Sequence, residues 1–423
     1  MTAAIENFLR AVQDTPAYWI ALIYFAAYPI ATSILWMTTS LMFRWRWERR
    51  PLDVDFAPDA LPAVTVLIPA HNEAEVIGKA LDAVLQLDYP DYEVIVIDDG
   101  STDATLAQAQ AFRGDARLRI LHKTTNEGKA LALNDALPLA RGEIILVLDA
   151  DTEPEPDLLR AMVPHFASVR VGAVTGNPRV RNTGTFLARL QSIEFSSIVS
   201  LLRRSQRIWG RIVTVSGVVA AFRRDALLDV GGFSPDMPTE DIDLTWKLQK
   251  HFYDIRYEPR AICGMSVPVS LRGLWKQRLR WARGLMQVLH RHRGVIAHWK
   301  YRRMWPMFAE SVLSTLWALC FVVLTTIWIL SWAIGVPPVG ASPIPNLWGM
   351  TIGTMCVLQL IVGAWIDRRY DRSIMRMVPY AVWYPIIYWM LLALAAVASI
   401  PWLFRRPQSG PVRWDTRRSG AGA

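Results

Sequence analysis

The chain has 423 residues, of which 52% are hydrophobic, and a formal net charge of +9. That apolar share exceeds the ~45–50% of ordinary soluble domains and argues against a wholly soluble protein. With no basic nucleic-acid motif present, the excess cations fit membrane flanks that meet anionic lipid, and a nucleic-acid partner is set aside.

Residues 16–43 contain no Asp, Glu, Lys or Arg, and a spanning helix needs about 20 apolar residues. The stretch is too long and too aromatic for a signal peptide, and no small-residue cleavage site follows, so residues 1–50 read as an uncleaved anchor. The flank Arg44-Trp45-Arg46-Trp47-Glu48-Arg49-Arg50 places this end at the cytoplasmic face, with Trp45 and Trp47 at headgroup level. A Pro- and Asp-rich linker is expected at 51–62.

From 63 to 270 the pattern alternates. Strands are expected at 64–68, 93–97, 118–121 and 143–148, and helices at 75–87, 103–112 and 128–139. Val76, Ile77, Leu81, Val84 and Leu85 recur at helical spacing in the first helix, and Ser101-Thr102 is a candidate cap for the second. Such alternation predicts an α/β domain with a mostly parallel sheet, whose ligands sit beyond the carboxyl ends of the strands.

Residues 271–292 are amphipathic, with Leu274, Trp275, Leu279, Leu285 and Leu289 against Arg272, Lys276, Arg280 and Arg283. Helices of this kind lie in the membrane interface, here expected over 271–305. Residues 306–404 form a membrane block. Its charge-free stretch 311–366 has room for two spans, broken at 336–346, and 377–404 holds another. The tail, 405–423, carries Arg405, Arg406, Arg413, Arg417 and Arg418, which favour the cytoplasmic face. Three spans after a cytoplasmic domain would leave that tail outside. A hairpin turning near Pro385 would reconcile the two. Cys263, Cys320 and Cys356 lack metal or redox spacing and read as free thiols.

Four acidic or mixed motifs carry possible chemistry. Asp98-Asp99-Gly100-Ser101 ends a strand, where a carboxylate can meet a nucleotide base or ribose; the plain alternative is a strand-to-helix turn. Asp149-Ala150-Asp151 ends another. Its alternate carboxylates suit a divalent cation, since Mg2+ favours one or two carboxylates plus substrate phosphates. Thr239-Glu240-Asp241-Ile242-Asp243 opens a helix. Its acids can favour the helix dipole or act as general base for a sugar hydroxyl, and one carboxylate can do each. On the amphipathic helix, Gln277 and Arg280 can hold a diphosphate and Trp281 can form an apolar plate for a sugar ring. The alternative is an interfacial helix with snorkelling arginines.

Together and in this order, Asp99, Asp149-x-Asp151, Thr239-Glu240-Asp241 and Gln277-x-x-Arg280-Trp281 resemble the motif set of processive family 2 glycosyltransferases: cellulose, chitin and hyaluronan synthases and their relatives. The likeness covers residues 60–300 and the membrane layout around them. Residues 171–179, 214–224, 239–249 and 274–281 look most like the bacterial biofilm synthases of poly-β-1,6-N-acetylglucosamine. The resemblance implies a GT-A, Rossmann-like cytoplasmic domain inserted between transmembrane helices, with amphipathic interfacial helices. It implies an inverting reaction that polymerises and exports N-acetylglucosamine from UDP-GlcNAc with Mg2+ or Mn2+, at the bacterial inner membrane.

Carried over to this sequence, the resemblance makes Asp241 the base, with Glu240 beside it. Asp99 and Asp149 contact the nucleotide, Asp151 the metal with Asp149, Gln277 and Arg280 the diphosphate, and Trp281 the acceptor. Asn72, Glu73 and Lys129 fall where relatives line the nucleotide pocket. A small membrane partner subunit and, in some bacteria, cyclic di-GMP control are also implied. Several relatives have two N-terminal spans where this chain has room for one. Another β-linked polymer of hyaluronan, chitin or cellulose type is the alternative product. A non-catalytic scaffold or transporter would have been favoured by loss of an acidic motif, and all are present.

Overall fold

A computed structural model describes residues 2–49, 61–335, 347–405 and 410–413. Most of the expected linker, the expected break at 336–346, and Arg406, Arg417 and Arg418 lie outside the described residues.

The chain opens with helices α1 (Thr2–Gln13) and α2 (Pro16–Phe43). There follow β1 (Val64–Ala70), α3 (Ile77–Val84), β2 (Tyr92–Asp99), α4 (Thr105–Gln110), β3 (Leu118–Lys123), α5 (Lys129–Ala136) and β4 (Ile144–Leu148). Next come β5 (Glu153–Pro154), α6 (Leu158–Met162), β6 (Val171–Val180), α7 (Phe186–Glu194), α8 (Ser200–Trp209), β7 (Val219–Arg223), α9 (Arg224–Asp229), α10 (Glu240–Lys250) and β8 (Asp254–Met265). The chain closes through α11 (Leu271–Arg291), α12 (Trp305–Ala333), α13 (Leu347–Asp367), α14 (Trp389–Ser399) and α15 (Pro401–Phe404).

The strands form one 8-stranded sheet in the order β3-β2-β1-β4-β7-β6-β8-β5. β3, β2, β1 and β4 are parallel. β7 runs antiparallel to β4 and β6, and β8 returns parallel to β6. Every residue of β1, β2 and β4 is buried, as expected of strands covered on both faces. Alternate side chains feed opposite layers. Val66, Ile68, Val94, Val96 and Leu146 pack with Ile77, Leu81 and Val84 on one side. Leu67, Ile95, Ile97, Ile145 and Val147 pack with Leu133, Leu244 and Leu248 on the other.

The alternating half therefore matches expectation, with two local corrections. The first sheet helix starts at Ile77, after a turn in which the Ala74 amide bonds Asp103 at 3.3 Å. Ser101 and Thr102 do not cap α4. The Asp103 carboxylate accepts from Thr105 N at 2.9 Å instead, and Ser101 Oγ accepts from Asn72 N. The antiparallel half was not anticipated.

Four stretches are long and apolar enough to cross a membrane: Pro16–Glu48, Trp299–Ala333, Gly349–Asp367 and Val378–Phe404. α2 and α12 lie antiparallel. Far from the sheet, Gln13 bonds Ser331 Oγ at 3.2 Å. Midway, the Phe25 and Trp317 rings stack at 5.9 Å. Near the sheet, Thr39 and Ser40 bond Ser205 and Leu201 of α8. α13 then returns to the sheet domain, where Asp367 meets Arg179 at 2.6 Å and Arg204 at 2.7 Å.

Arg204 also pairs with Glu48 at 2.5 Å, so one buried guanidinium ties the end of α2, α8 and the end of α13. Removing one member of a buried ion pair costs about 3–5 kcal/mol because its partner keeps an uncompensated charge. Arg204→Ala is accordingly expected to lower the melting temperature of the detergent-purified protein well below that of an exposed control such as Arg160→Ala.

The last apolar stretch touches the catalytic side at both ends. Tyr380 bonds Arg189 near its start. At its end Leu403 O meets His290 Nδ1 at 2.7 Å, and the Arg283 guanidinium lies 4.2 Å over Trp402. Beyond it, Val412 N donates to Pro235 O at 2.8 Å. No reversal occurs at Pro385: Tyr384–Tyr388 is a π-helical turn that runs on into α14. Residues 410–413, the described part of the tail beyond Arg405, lie against the sheet domain through the Val412–Pro235 bond, and the hairpin considered near Pro385 is not formed.

Candidate active site

β2 delivers Asp99, fully buried, to the carboxyl edge of the sheet. Its carboxylate accepts from Glu127 N at 3.1 Å and Gly128 N at 2.7 Å, fixing the loop that leads into α5. Gly128 has φ +94°, and a Cβ on it would lie 2.1 Å from Val412 O, so the tail's close approach requires glycine there. The loops after β1 and β2 are knitted together. Asn72, at φ +56°, accepts from Thr102 N at 2.8 Å. Glu73 N donates to Thr105 Oγ1 at 2.8 Å, and His71 Nδ1 meets Asp99 O at 2.8 Å. Asn72 and Glu73 thus lie on the loop knitted to the one that follows Asp99.

The hub of the site is Lys129, the first residue of α5. Its ammonium donates to Asp149 Oδ1 at 2.7 Å and to Gly217 O at 3.1 Å, and lies 3.3 Å from Glu240 Oε1. A Cβ on Gly217 would sit 3.0 Å from Asp241 Oδ2 and 3.7 Å from Lys129 Nζ, so Asp241 shares the same small space. Carboxylates from β4 and α10, far apart in sequence, therefore converge on one cation. Burial and the neighbouring Glu240 charge raise the Asp241 pKa to about 6, against the opposing pull of Lys129 and Arg280. Lys129 is held above its ordinary value by Asp149, Glu240 and Asp241, which together outweigh the desolvation that would lower it.

Asp151 follows in a turn closed by Thr152, whose amide and hydroxyl both donate to Asp149 O. The charges of Asp151 and Asp149 both act on the Cys263 thiol of β8, which burial pushes up. Among the described residues no group of three or more His, Cys, Asp or Glu forms a metal cage. Asp149 and Asp151 supply carboxylate oxygens of the kind that hard divalent cations such as Mg2+ and Mn2+ take, and Mg2+ completes its shell with substrate phosphates and water.

α11 brings the last motif. A Cβ on its Gly284 would fall 2.1 Å from Thr239 Oγ1, so the helix meets the start of α10 almost backbone to side chain. Arg280 is exposed, and its charge reaches Asp241. Gln277 is half-buried, and its Oε1 is a buried acceptor without a hydrogen-bond partner, which leaves it open to a ligand donor. Trp281 is half-buried with its ring edge-on to Phe195 at 6.4 Å.

Residues not singled out from sequence hold this platform in place. The Arg278 guanidinium lies 4.3 Å over the Trp281 ring. It donates to Glu194 at 2.5 Å and to Tyr388 at 2.8 Å, all three side chains being buried. A signal for Arg278 was present. It shares the apolar stripe of Leu274, Trp281 and Leu285, an odd place for a free arginine. Asp243, in contrast, turns away from Asp241 and pairs with His292 at 2.8 Å.

A sheet whose strand ends gather acidic residues around a single lysine, roofed by an amphipathic helix and anchored by apolar helices, defines a membrane-bound GT-A transferase. Residues 65–231 match Glycosyl transferase family 2, and the chain belongs to that family. It is 35% identical over 402 residues to the poly-beta-1,6-N-acetyl-D-glucosamine synthase of Staphylococcus epidermidis, covering 93% of this chain and 97% of that protein. The synthase of the same name from Staphylococcus aureus strain COL is 34% identical over 404 residues, with the same coverage. Among solved structures, a mannosyltransferase of Pyrobaculum calidifontis in complex with GDP-Man and Mn2+ aligns with TM-score 0.62 and 27% identity, covering 89% of this chain and 99% of that one. A divalent metal cofactor is in keeping with that neighbour.

Proposed function

We propose that this chain is a processive, inverting glycosyltransferase that polymerises N-acetylglucosamine from UDP-GlcNAc into β-1,6-linked poly-N-acetylglucosamine and helps export it. The observation that carries the reaction class is Lys129, bonded to Asp149 and beside Glu240, which draws the nucleotide end and the catalytic end of the site together. The sugar and linkage rest on likeness to the synthases.

Asp99, Asn72, Glu73 and Asp149 face the nucleoside, and Gln277, Arg280 and Lys129 hold the diphosphate. Trp281 bounds the acceptor sugar. Asp241 takes the proton of the attacking hydroxyl as the new bond forms at the anomeric carbon and UDP departs on the opposite side. A single displacement on an α-linked donor gives a β-linkage. Asp151, with Asp149, would hold a divalent cation, Mg2+ or Mn2+, that offsets the charge of the leaving diphosphate.

The membrane is the bacterial inner membrane, with the sheet domain cytoplasmic, since Arg44, Arg46 and Arg49 flank α2 on the sheet's side. The resemblance also suggests a small membrane partner subunit and, in some bacteria, control by cyclic di-GMP.

Asp241 must be ionised to accept a proton. With its pKa at about 6, kcat/KM is expected to fall roughly tenfold per pH unit below that value. A profile flat down to pH 4–5, near the ordinary Asp value of about 3.9, would contradict the assignment.

Purified protein in lipid with UDP-GlcNAc and Mn2+ should release UDP and build polymer that a β-1,6-specific hydrolase degrades. Polymer resistant to that hydrolase would indicate another β-linked product. A single sugar transferred to a lipid, with no polymer formed, would contradict processive synthesis. No UDP release from any UDP-sugar, with or without a partner subunit, would refute the proposal.

A further inference from the structure

A strongly cationic cavity lies away from the active site. Just before α12 enters the membrane, this cavity of about 190 Å3 is lined by Arg170, Arg211, Lys300, Arg302 and Arg303. No carboxylate lines it, and the acid that reaches these cations, Asp254, is shared between Arg170 at 3.8 Å and Arg211 at 3.3 Å. Among the described residues Lys300, Arg302 and Arg303 have no carboxylate partner within salt-bridge distance.

Arg211 is only 5% exposed, yet its Nε has no hydrogen-bond partner. Burial lowers its pKa, and the charges of Arg303 and Arg170 add to that in spite of Asp254. Cations crowded together in this way leave a concentrated positive field with an unused donor inside it. On the lip, Phe252 holds φ +66°, a conformation that bulky residues rarely adopt, and stacks on Tyr301 at 6.1 Å.

From this geometry we infer a binding site for a negatively charged phosphate ester, the headgroup of an anionic phospholipid. Arginine forks match phosphate oxygens. The cavity is below the ~300 Å3 at which sites for drug-sized ligands begin, so it admits a phosphate and its ester oxygens but not a whole nucleotide. Its place argues for lipid as the source. Lys300–Met304 run directly into α12. Trp299, 69% exposed and under the Arg302 guanidinium at 5.2 Å, marks the headgroup level. The inference does not depend on which sugar the enzyme polymerises.

The test counts lipid retained by the full chain in detergent, by native mass spectrometry, after exposure to phosphatidylglycerol or phosphatidylcholine. The native chain should retain phosphatidylglycerol preferentially. Arg303→Gln and Lys300→Gln, at exposed positions that leave the fold intact, should each weaken that preference about fivefold. Arg160→Gln, on the sheet domain and not among the residues lining the cavity, serves as control and should not. Displacement of the lipid by inorganic phosphate would support the site with a soluble source. Equal retention of both lipids, or variants indistinguishable from the native chain, would overturn it.

Discussion

Asp241→Asn is expected to bind UDP within a few-fold of the native protein and to lose about 10²–10⁴ in kcat, the range attributed to a positioned general base. Asparagine preserves the shape beside Gly217 and the contact with Ile242 N, which Asp241 Oδ1 now accepts at 2.9 Å. It cannot take a proton. The acid limb near pH 6 should vanish together with the rate. Turnover retained at native levels would remove Asp241 from the mechanism and shift attention to Glu240.

Lys129→Met should be nearly as severe, for a different reason. The substitution strips Asp149, Glu240 and Asp241 of the half-buried cation that they share. Stranding such part-buried charge costs up to about 3–5 kcal/mol, or ~10²–10⁴ in kcat/KM where the cost falls on the transition state. Without that ammonium the Asp241 pKa climbs further, so residual activity should have its acid limb at higher pH than in the native enzyme. Lys129→Arg, which keeps the charge, should recover part of the loss. Steady-state kinetics across pH on both variants separates this from simple unfolding, which would not move the pH profile of the surviving fraction.

The parallel half of the sheet was legible because its strands are buried on both faces and spell mostly apolar runs such as Ile144–Leu148. The acidic motifs were legible because they follow those strands. The antiparallel half was not, since its buried strands contain polar residues that look like surface. In β6, Asn177 and Arg179 are buried, paired with Pro259 O at 2.8 Å and with Asp367 at 2.6 Å. Arg179 and Asp367 stand 188 positions apart, and no local pattern announces such a pair. The same holds for α7 and α8, where Glu194, Arg203 and Arg204 are buried against distant partners. Lys129 could be guessed from the resemblance, but its joining of Asp149 to Glu240 is a property of the fold alone.

The most direct test of that convergence is an electron cryomicroscopy map of the protein in lipid with UDP and Mn2+. Nucleotide density lying between the Asp99–Gly128 loop and Asp149-x-Asp151, with its diphosphate toward Lys129 and α11, is the predicted result. Nucleotide bound in any other cavity, with this carboxyl edge of the sheet left empty, would contradict the account.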